Sequence, residues 1–424
     1  MGMFESILYV IEESGDRAQG VARAVDVAKR SGAALTILEV SPSGGGALVG
    51  VSPDQRMLAL EAMVAGIRDD LRIQLMVLNG TLFLEVIRAV GAVPAILCAF
   101  ADKPIPAAEE VLPANLCPLI KSSYGYIITD TCPFFGLSDA VVAETTCDGK
   151  KKMFELISSH RPMFVMDLPQ LPDEAEARSN WATMISKLKG FLENTFGTSG
   201  TSEGIEAEIQ ATNIKNRLIR RVYEYAEKKP PLLSWQELYE LSYLAQVATT
   251  EHLLPIFKEI FETIEERDDK GIYYGSPSSP RVLVTGCPVG GDSTKVFRII
   301  EEAGGVVVAM DSCSGMKPFI ADIEEKTGNP IDAVARHYLE IPCSCMTPNT
   351  RRLTELDKVI DRFQPDAIVE VVLHACHSYN IEAYKIMTHV KEKHNLPYLK
   401  IVTDYSEGDV EQIRTRVEAL LESI

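Results

Sequence analysis

The stretch Arg281–Cys313, RVLVTGCPVGGDSTKVFRIIEEAGGVVVAMDSC, decides the fold. It has the pattern of an apolar strand, a glycine turn, an amphipathic helix and a second apolar strand. Parallel strands need a crossover helix between them, so this order is typical of a doubly wound parallel sheet. Further strands are predicted at Ala367–Leu373 and Tyr398–Thr403. We therefore predict an α/β lobe over residues 276–424.

Three other segments precede this lobe. Residues 1–88 alternate strands and helices as a βαβαβα unit, and residues 89–171 have the pattern of another α/β lobe. Residues 172–275 change to a helical period with many charges and are interpreted as a helical connector. The predicted fold class is thus α/β, with two doubly wound, Rossmann-like parallel-sheet lobes joined by helices. Strands of the first lobe are predicted at Ala95–Ala99, Gly125–Thr129, Ala140–Glu144 and Met163–Leu168.

Composition limits the possible partners. The chain has 424 residues, of which 46% are hydrophobic, and its formal net charge is −18. An acidic chain lacks the cationic patches that bind nucleic acid or anionic membranes. Its apolar runs are shorter than the roughly 18 residues that a membrane-spanning helix needs. We expect a cytoplasmic protein with neither nucleic acid nor membrane as its partner.

The nine cysteines are the strongest functional signal. In a reducing compartment they do not form a disulfide framework, which leaves buried thiols, redox thiols or metal ligands. Ligands of open α/β sheets bind outside the carboxyl ends of the strands, and most of the cysteines follow a predicted strand or lie in a turn. Cys98 lies inside a strand and is interpreted as core. The other eight are Cys117, Cys132, Cys147, Cys287, Cys313, Cys343, Cys345 and Cys376.

The spacing of these cysteines does not suit zinc, which prefers short pairs such as C-x2-C. The one close pair is Cys343-x-Cys345. Dispersed thiolates favour a larger iron–sulfur cluster. Two helix-opening glycine turns, at Gly149 and at Gly290-Gly291, would point backbone N–H groups at an anionic cluster, although phosphate is the usual ligand of such turns.

Several motifs resemble one family. The segments NLCPLIKSSYGYIITDTCPFF, VVAETTCDGKKKMFEL, VLVTGCPVGG, IPCSCMTPN and HACHSYN are similar to the 2-hydroxyacyl-CoA dehydratase and benzoyl-CoA reductase superfamily. They look most like its double-cubane cluster branch. The resemblance extends from about Gly91 to the C-terminus, and ETTCDGKKK and IPCSCMTPN are its specific parts.

This resemblance implies a ligand set, a cofactor and partners. One cubane would be held by Cys117, Cys147 and Cys376, and a second by Cys287, Cys313 and Cys343, with Cys345 and Cys132 as alternates. The implied cofactor is an 8Fe-9S double cubane, and a single 4Fe-4S cluster of a dehydratase subunit is the alternative. The implied protein is a homodimer that receives electrons from a separate iron–sulfur activator and reduces a small molecule. The activator, not this chain, would hydrolyse ATP.

Other residues near Cys376 and Cys147 have weaker predicted roles. His374 and His377 flank Cys376 and are candidate proton donors. Lys150, Lys151 and Lys152 are interpreted as a solvated helix face, and Asp148 as a cap or turn residue.

Residues 1–88 resemble a different family, the front half of a universal stress protein. That fold binds ATP through a glycine-rich G-x2-G-x9-G stretch, and the resemblance ends near Ala89, before such a stretch. The acidic residue usual after the first strand has two candidates here, Glu12 and Glu13. We predict no nucleotide binding by this segment. A stress-protein-like binding module without enzymatic activity, whose cysteines only pack, is the remaining alternative.

Overall fold

A computed structural model describes residues 6–11, 34–39, 74–78, 83–96, 99–132, 135–136 and 138–424. Strands β1 (Ser6–Ile11) and β2 (Ala34–Glu39) form a parallel pair, so the first two predicted strands are confirmed. The two predicted helices between the first three strands, as well as Glu12, Glu13 and Cys98, lie outside the described residues.

The sheet of the first lobe has four parallel strands in the order β4-β3-β5-β6. These strands are β3 (Gln74–Leu78), β4 (Ala92–Ile96), β5 (Ala140–Glu144) and β6 (Met163–Met166). Strand β5 is buried along its whole length, as expected for a continuous apolar run with neighbours on both sides. Strand β3 lies in the segment 1–88 yet pairs with β4 and β5, so this sheet takes in a strand from that segment.

One predicted strand of this lobe is wrong. The run Gly125–Thr129 belongs to a helix, Pro118–Ile128, and not to a strand. Pro118 starts the helix at a position where its missing N–H is not needed, and the buried side chains of Ile120, Tyr124 and Ile127 recur at helical spacing. Cys132 therefore follows a helix. The helices of this lobe are α1 (Leu84–Ala89), α2 (Ile105–Ala108), α3 (Pro118–Ile128) and α4 (Asp148–Ile157).

The predicted helical connector is confirmed. Its helices are α5 (Ala177–Phe196), α6 (Ser202–Glu227), α7 (Trp235–Val247) and α8 (Thr250–Asp269). Helix α7 starts with a capping box, in which Ser234 and Glu237 satisfy each other's backbone N–H groups. Helix α6 packs against α1 of the first lobe and against β8 (Val306–Asp311) of the second, so the connector joins the two lobes along its length.

The second lobe has the predicted doubly wound sheet. Its strands β7 (Arg281–Gly286), β8, β9 (Ala367–Leu373) and β10 (Tyr398–Thr403) are parallel, in the order β10-β9-β7-β8. Because β7 lies between β8 and β9, the chain segments that leave these three strands begin side by side at one edge. The helices are α9 (Lys295–Glu302), α10 (Pro330–Leu339), α11 (Thr350–Phe363), α12 (His377–His389) and α13 (Val410–Glu422).

Among the described residues, no helix is both long and apolar enough to cross a bilayer.

Candidate metal centre

Three cysteines from both lobes converge on one point. The sulfur of Cys376 shares side-chain hydrogen bonds with the thiols of Cys117 and Cys287. Cys117 precedes helix α3 of the first lobe, Cys287 follows β7, and Cys376 follows β9 at the start of α12. The two thiol hydrogen bonds lower the pKa of Cys376 to about 3. This sulfur lies where the lobes meet.

Cys147 adds a fourth sulfur to this group. It is the N-cap of α4, and its sulfur accepts the backbone N–H of Lys150 at 3.4 Å. Burial raises the pKa of its thiol, and the charge of Cys376 is close enough to raise it further. A helix N-terminus thus faces this sulfur, which favours the thiolate that a metal needs.

A second group contains Cys313, Cys343 and Cys345. The hydrogen bond from Cys345 is the main reason that the pKa of Cys343 falls to about 6, and the same bond raises the pKa of Cys345. Burial raises the pKa of the Cys313 thiol, and the charge of Cys343 raises it further. The two thiols of the close pair therefore interact directly, and Cys313 lies near them.

The two groups have neighbours in common. Burial raises the pKa of Tyr379, and thiolates from both groups, Cys287 and Cys313 among them, raise it further. Lys150 likewise acts on Cys147 and on Cys313. The groups therefore adjoin the same part of the interior.

Cationic side chains balance the charge of these sulfurs. Lys317 is 2% exposed, its Nζ lies 5.7 Å from the centre of the Tyr379 ring, and it has no hydrogen-bond partner among the described residues. It lowers the pKa values of Cys313 and Cys343. A buried ammonium without a partner is costly and calls for an anionic neighbour. The prediction that Lys150 is solvated is wrong. Its side chain is 15% exposed, and its Nζ lies 3.9 Å from Oε1 of Glu144.

Both groups supply thiols, which are the ligands of iron–sulfur clusters. Among the described residues, no three cysteine sulfurs all lie within 4.8 Å of one another, as a mononuclear site requires. The described cysteines are free thiols. Sulfurs arranged more widely around an interior with an unpaired cation suit the iron–sulfide core of a cubane, which spreads its thiolates and carries negative charge.

The predicted glycines permit close packing. A Cβ on Gly149 would lie 2.9 Å from Ile120 of helix α3. Gly290 and Gly291 lie against Phe100, and a Cβ on Gly291 would lie 2.4 Å from its carbonyl oxygen. Asp292 donates its backbone N–H to the same oxygen at 2.8 Å. The second glycine turn thus brings the loop before α2 against the start of the second lobe.

The predicted histidines and lysines lie at the edge of this region. His374 and His377 are exposed, as are Lys151, Lys152 and Asp148. Asp148 is the first residue of α4, and the capping role falls to Cys147. Cys132 is buried in the same core and accepts the backbone N–H of Phe135 at 3.4 Å.

Sequence reasoning missed a small cavity beside Cys313. It has a volume of about 60 Å³ and is lined by Lys317, Lys215, Glu85 and Tyr338, among others. Glu85 accepts hydrogen bonds from Tyr338 and, at 2.8 Å, from Thr212. Burial lowers the pKa of Lys215 to about 7. The available signal was a set of lone charged residues in otherwise apolar stretches, such as Lys317 in SGMKPF.

Comparisons with known proteins found a family and relatives that the chain resembles. The family model described as 2-hydroxyglutaryl-CoA dehydratase, D-component, matches residues 84–424. A candidate dehydratase subunit of Escherichia coli, YjiM, is 40% identical over 341 residues, which are 80% of this chain and 88% of that protein. The lactoyl-CoA dehydratase subunit beta of Anaerotignum propionicum is 22% identical over 349 residues, again 80% and 88% of the two chains.

Proposed function

The chain belongs to the 2-hydroxyglutaryl-CoA dehydratase D-component family, and from that premise we propose that it is an iron–sulfur reductase component. In this proposal an 8Fe-9S double cubane is held by six cysteines of the two lobes. The observation that carries the proposal is the convergence of cysteines from both lobes, with the buried Lys317, which has no hydrogen-bond partner among the described residues, beside Cys313 and Cys343. The proposed ligands are Cys117, Cys147, Cys376, Cys287, Cys313 and Cys343.

The bound cluster would supply single electrons at low potential. The chain's own residues would hold its charge and shield it. Lys317 and Lys150 would balance the anionic core, and the N-termini of α4 and α12 would direct their partial positive charge at Cys147 and Cys376. Electrons would come from a separate ATP-hydrolysing iron–sulfur activator that docks on a homodimer of this chain, in the cytoplasm.

The cavity beside Cys313 favours a small substrate. Its volume of about 60 Å³ has room for a few water molecules or a molecule of that size. Pockets for drug-sized ligands measure about 300–1,000 Å³, so a CoA thioester would need a larger opening. Lys215 lines the cavity with a pKa of about 7, which suits a proton donor at neutral pH, in addition to the predicted His374 and His377.

A second candidate function is that of a dehydratase subunit with one 4Fe-4S cluster. The names of both relatives, each a dehydratase subunit, favour it. In that function only one group of cysteines would hold iron, and a second, different subunit would be required.

Iron and sulfide analysis of the strictly anaerobic protein separates these functions. We expect about eight iron atoms per chain, whereas about four would favour the dehydratase subunit. A colourless protein without iron would contradict both and favour the binding module.

Serine variants test the ligand set. Cys147→Ser and Cys376→Ser should lose iron, and Cys98→Ser, the matched core-thiol control, should keep it. Cys343→Ser and Cys345→Ser together decide which member of the close pair binds the metal. Equal iron loss in all five variants would refute the proposed distinction between ligands and packing thiols.

A further inference from the structure

Asp357, His389 and His394 form a compact group of donor atoms in the second lobe. The Nε2 atoms of both histidines lie 2.6 Å from the same carboxylate oxygen, Oδ1 of Asp357. The three donor atoms all lie within 4.8 Å of one another. The side chains are half-buried, with exposed fractions of 12% to 18%. A single ion could therefore contact all three.

A π-helical turn brings the two histidines together. His389 ends helix α12, and His394 ends the π-turn Val390–His394 that continues it. Residues five apart on an α-helix are separated by about 140° around the axis. The wider π-turn, with its i→i+5 hydrogen bonds, brings them onto one face, and such turns are frequent at functional sites. Asn395, with a φ of 53°, ends the turn.

The donor chemistry is that of a transition-metal site. Two imidazole nitrogens and one carboxylate oxygen are the protein ligands of several zinc sites and of non-haem iron(II) sites. The second oxygen of Asp357 accepts the Lys393 ammonium at 2.6 Å, which leaves Oδ1 facing both imidazoles. Ligating carboxylates are commonly held by such an additional partner.

This group is separate from the cysteine centre. Helix α12 starts beside Cys376 and carries His389 at its other end. At 1.5 Å per residue, the thirteen residues of α12 span about 18 Å. Asp357 comes from a different helix, α11, so an ion here would join α11 to the end of α12.

We propose that Asp357, His389 and His394 bind one divalent transition-metal ion of the zinc class, with water in the remaining position. This site is independent of the proposed iron–sulfur function. A network of hydrogen bonds without metal is the competing explanation, and the two differ in zinc content.

Equilibrium dialysis of the full-length protein against Zn²⁺, followed by metal analysis, tests the site. Because cysteines also bind zinc, the measured quantity is the difference between variants prepared in the same way. We expect His394→Gln and Asp357→Asn to bind about one zinc fewer per chain than the wild type. His252→Gln, which removes an exposed histidine bonded to Thr249, should bind as much as the wild type.

X-ray absorption of zinc in the wild-type protein gives a readout that does not depend on variants. Imidazole scattering that disappears in His394→Gln supports the site. Zinc surrounded by sulfur alone, or equal zinc content in His394→Gln and His252→Gln, overturns it.

Discussion

The sulfur atoms of Cys117 and Cys376 are joined by a hydrogen bond, although these residues belong to different lobes. Each immediately precedes a helix, α3 for Cys117 and α12 for Cys376. Two helix N-termini therefore direct their partial positive charge at one pair of sulfurs. The electrostatics that would favour a bound anionic cluster are thus present in the chain itself.

Replacing Lys317 by methionine should separate two effects of its buried ammonium, the cost to folding and the stabilisation of the reduced cluster. Methionine fills a similar volume without a buried ammonium, so the cluster-free chain should gain about 1–3 kcal/mol in its free energy of unfolding. In the iron-loaded protein the loss of a positive charge disfavours the reduced state. We expect a midpoint potential more negative by on the order of 60 mV, or ~1.4 kcal/mol for one electron.

Redox titration and urea denaturation measure the two effects of Lys317→Met. Lys151→Met is the matched control, because the Lys151 side chain is 52% exposed on the surface of α4. It should leave both quantities nearly unchanged. An unaltered potential in Lys317→Met would show that this lysine does not face the redox centre.

Replacing Arg352 by methionine should strongly destabilise the second lobe. Arg352 is 1% exposed and contacts Asp311 and Thr285. Burial would raise the pKa of Asp311, but the charges of Arg352 and Lys317 lower it to about 2. Without Arg352, a buried carboxylate loses its main partner, so we expect a loss of about 3–5 kcal/mol in the free energy of unfolding.

A double-mutant cycle measures the coupling between Arg352 and Asp311. Adding Asp311→Asn to Arg352→Met removes the stranded charge and should restore part of the stability. Arg221→Met is the surface control, since Arg221 and Glu265 are about half exposed, and it should cost less than about 1 kcal/mol. Additive effects of the Arg352 and Asp311 changes would contradict a direct ion pair.

Replacing Gly286 by alanine should displace Cys287. Gly286 has a φ of 111°, and a Cβ there would lie 2.2 Å from the carbonyl oxygen of Val371. Gly304, with a φ of 93°, has open space around it and is the matched control. Gly304→Ala should cost about 1–2 kcal/mol from backbone strain alone. Gly286→Ala should cost more and should also lower the iron content of the anaerobic protein, whereas Gly304→Ala should keep its iron.

The sequence was sufficient to predict the sheet of the second lobe, because parallel strands buried on both faces have continuous apolar runs such as Ala367–Leu373. It failed at Gly125–Thr129, where a short apolar run fits a strand and a buried helix equally well. The helix is favoured there because Gly125 packs closely against Pro104. A contact with a residue distant in the chain leaves no local sequence pattern. The predicted ends of β7, β8 and β9 correctly placed Cys287, Cys313 and Cys376 after strands.

Features that depend on contacts between residues distant in the chain could not be predicted from the sequence pattern. Lys150 stands in a run of three lysines, which is the pattern of a solvated helix face, and only the fold buries its side chain. The π-turn at Val390–His394 is equally hidden, because five-residue spacing of histidines predicts opposite sides of an α-helix.

The stability of the second lobe should depend on the protonation of Glu301. Burial raises the pKa of Glu301 to about 7, from an ordinary value of 4.5. Its carboxyl group accepts hydrogen bonds from the backbone of Trp235 at 3.2 Å and from the Tyr274 hydroxyl. Between these two pKa values the unfolded chain releases the proton while the folded chain keeps it. The contribution to stability is therefore complete below about pH 4.5 and is lost as the pH rises through about 7.

Glu301→Gln, which imitates the protonated carboxyl, should lack this dependence on pH. Relative to the wild type, the variant should gain up to about 3 kcal/mol in its free energy of unfolding between pH 4.5 and pH 7.5. Urea denaturation across this range measures the difference. Glu302→Gln is the control, because a hydrogen bond from Arg414 lowers the pKa of the exposed Glu302, so its pH effect should have the opposite sign. A constant difference between Glu301→Gln and the wild type would mean that Glu301 ionises alike in both states, since only a pKa that changes on folding couples stability to pH.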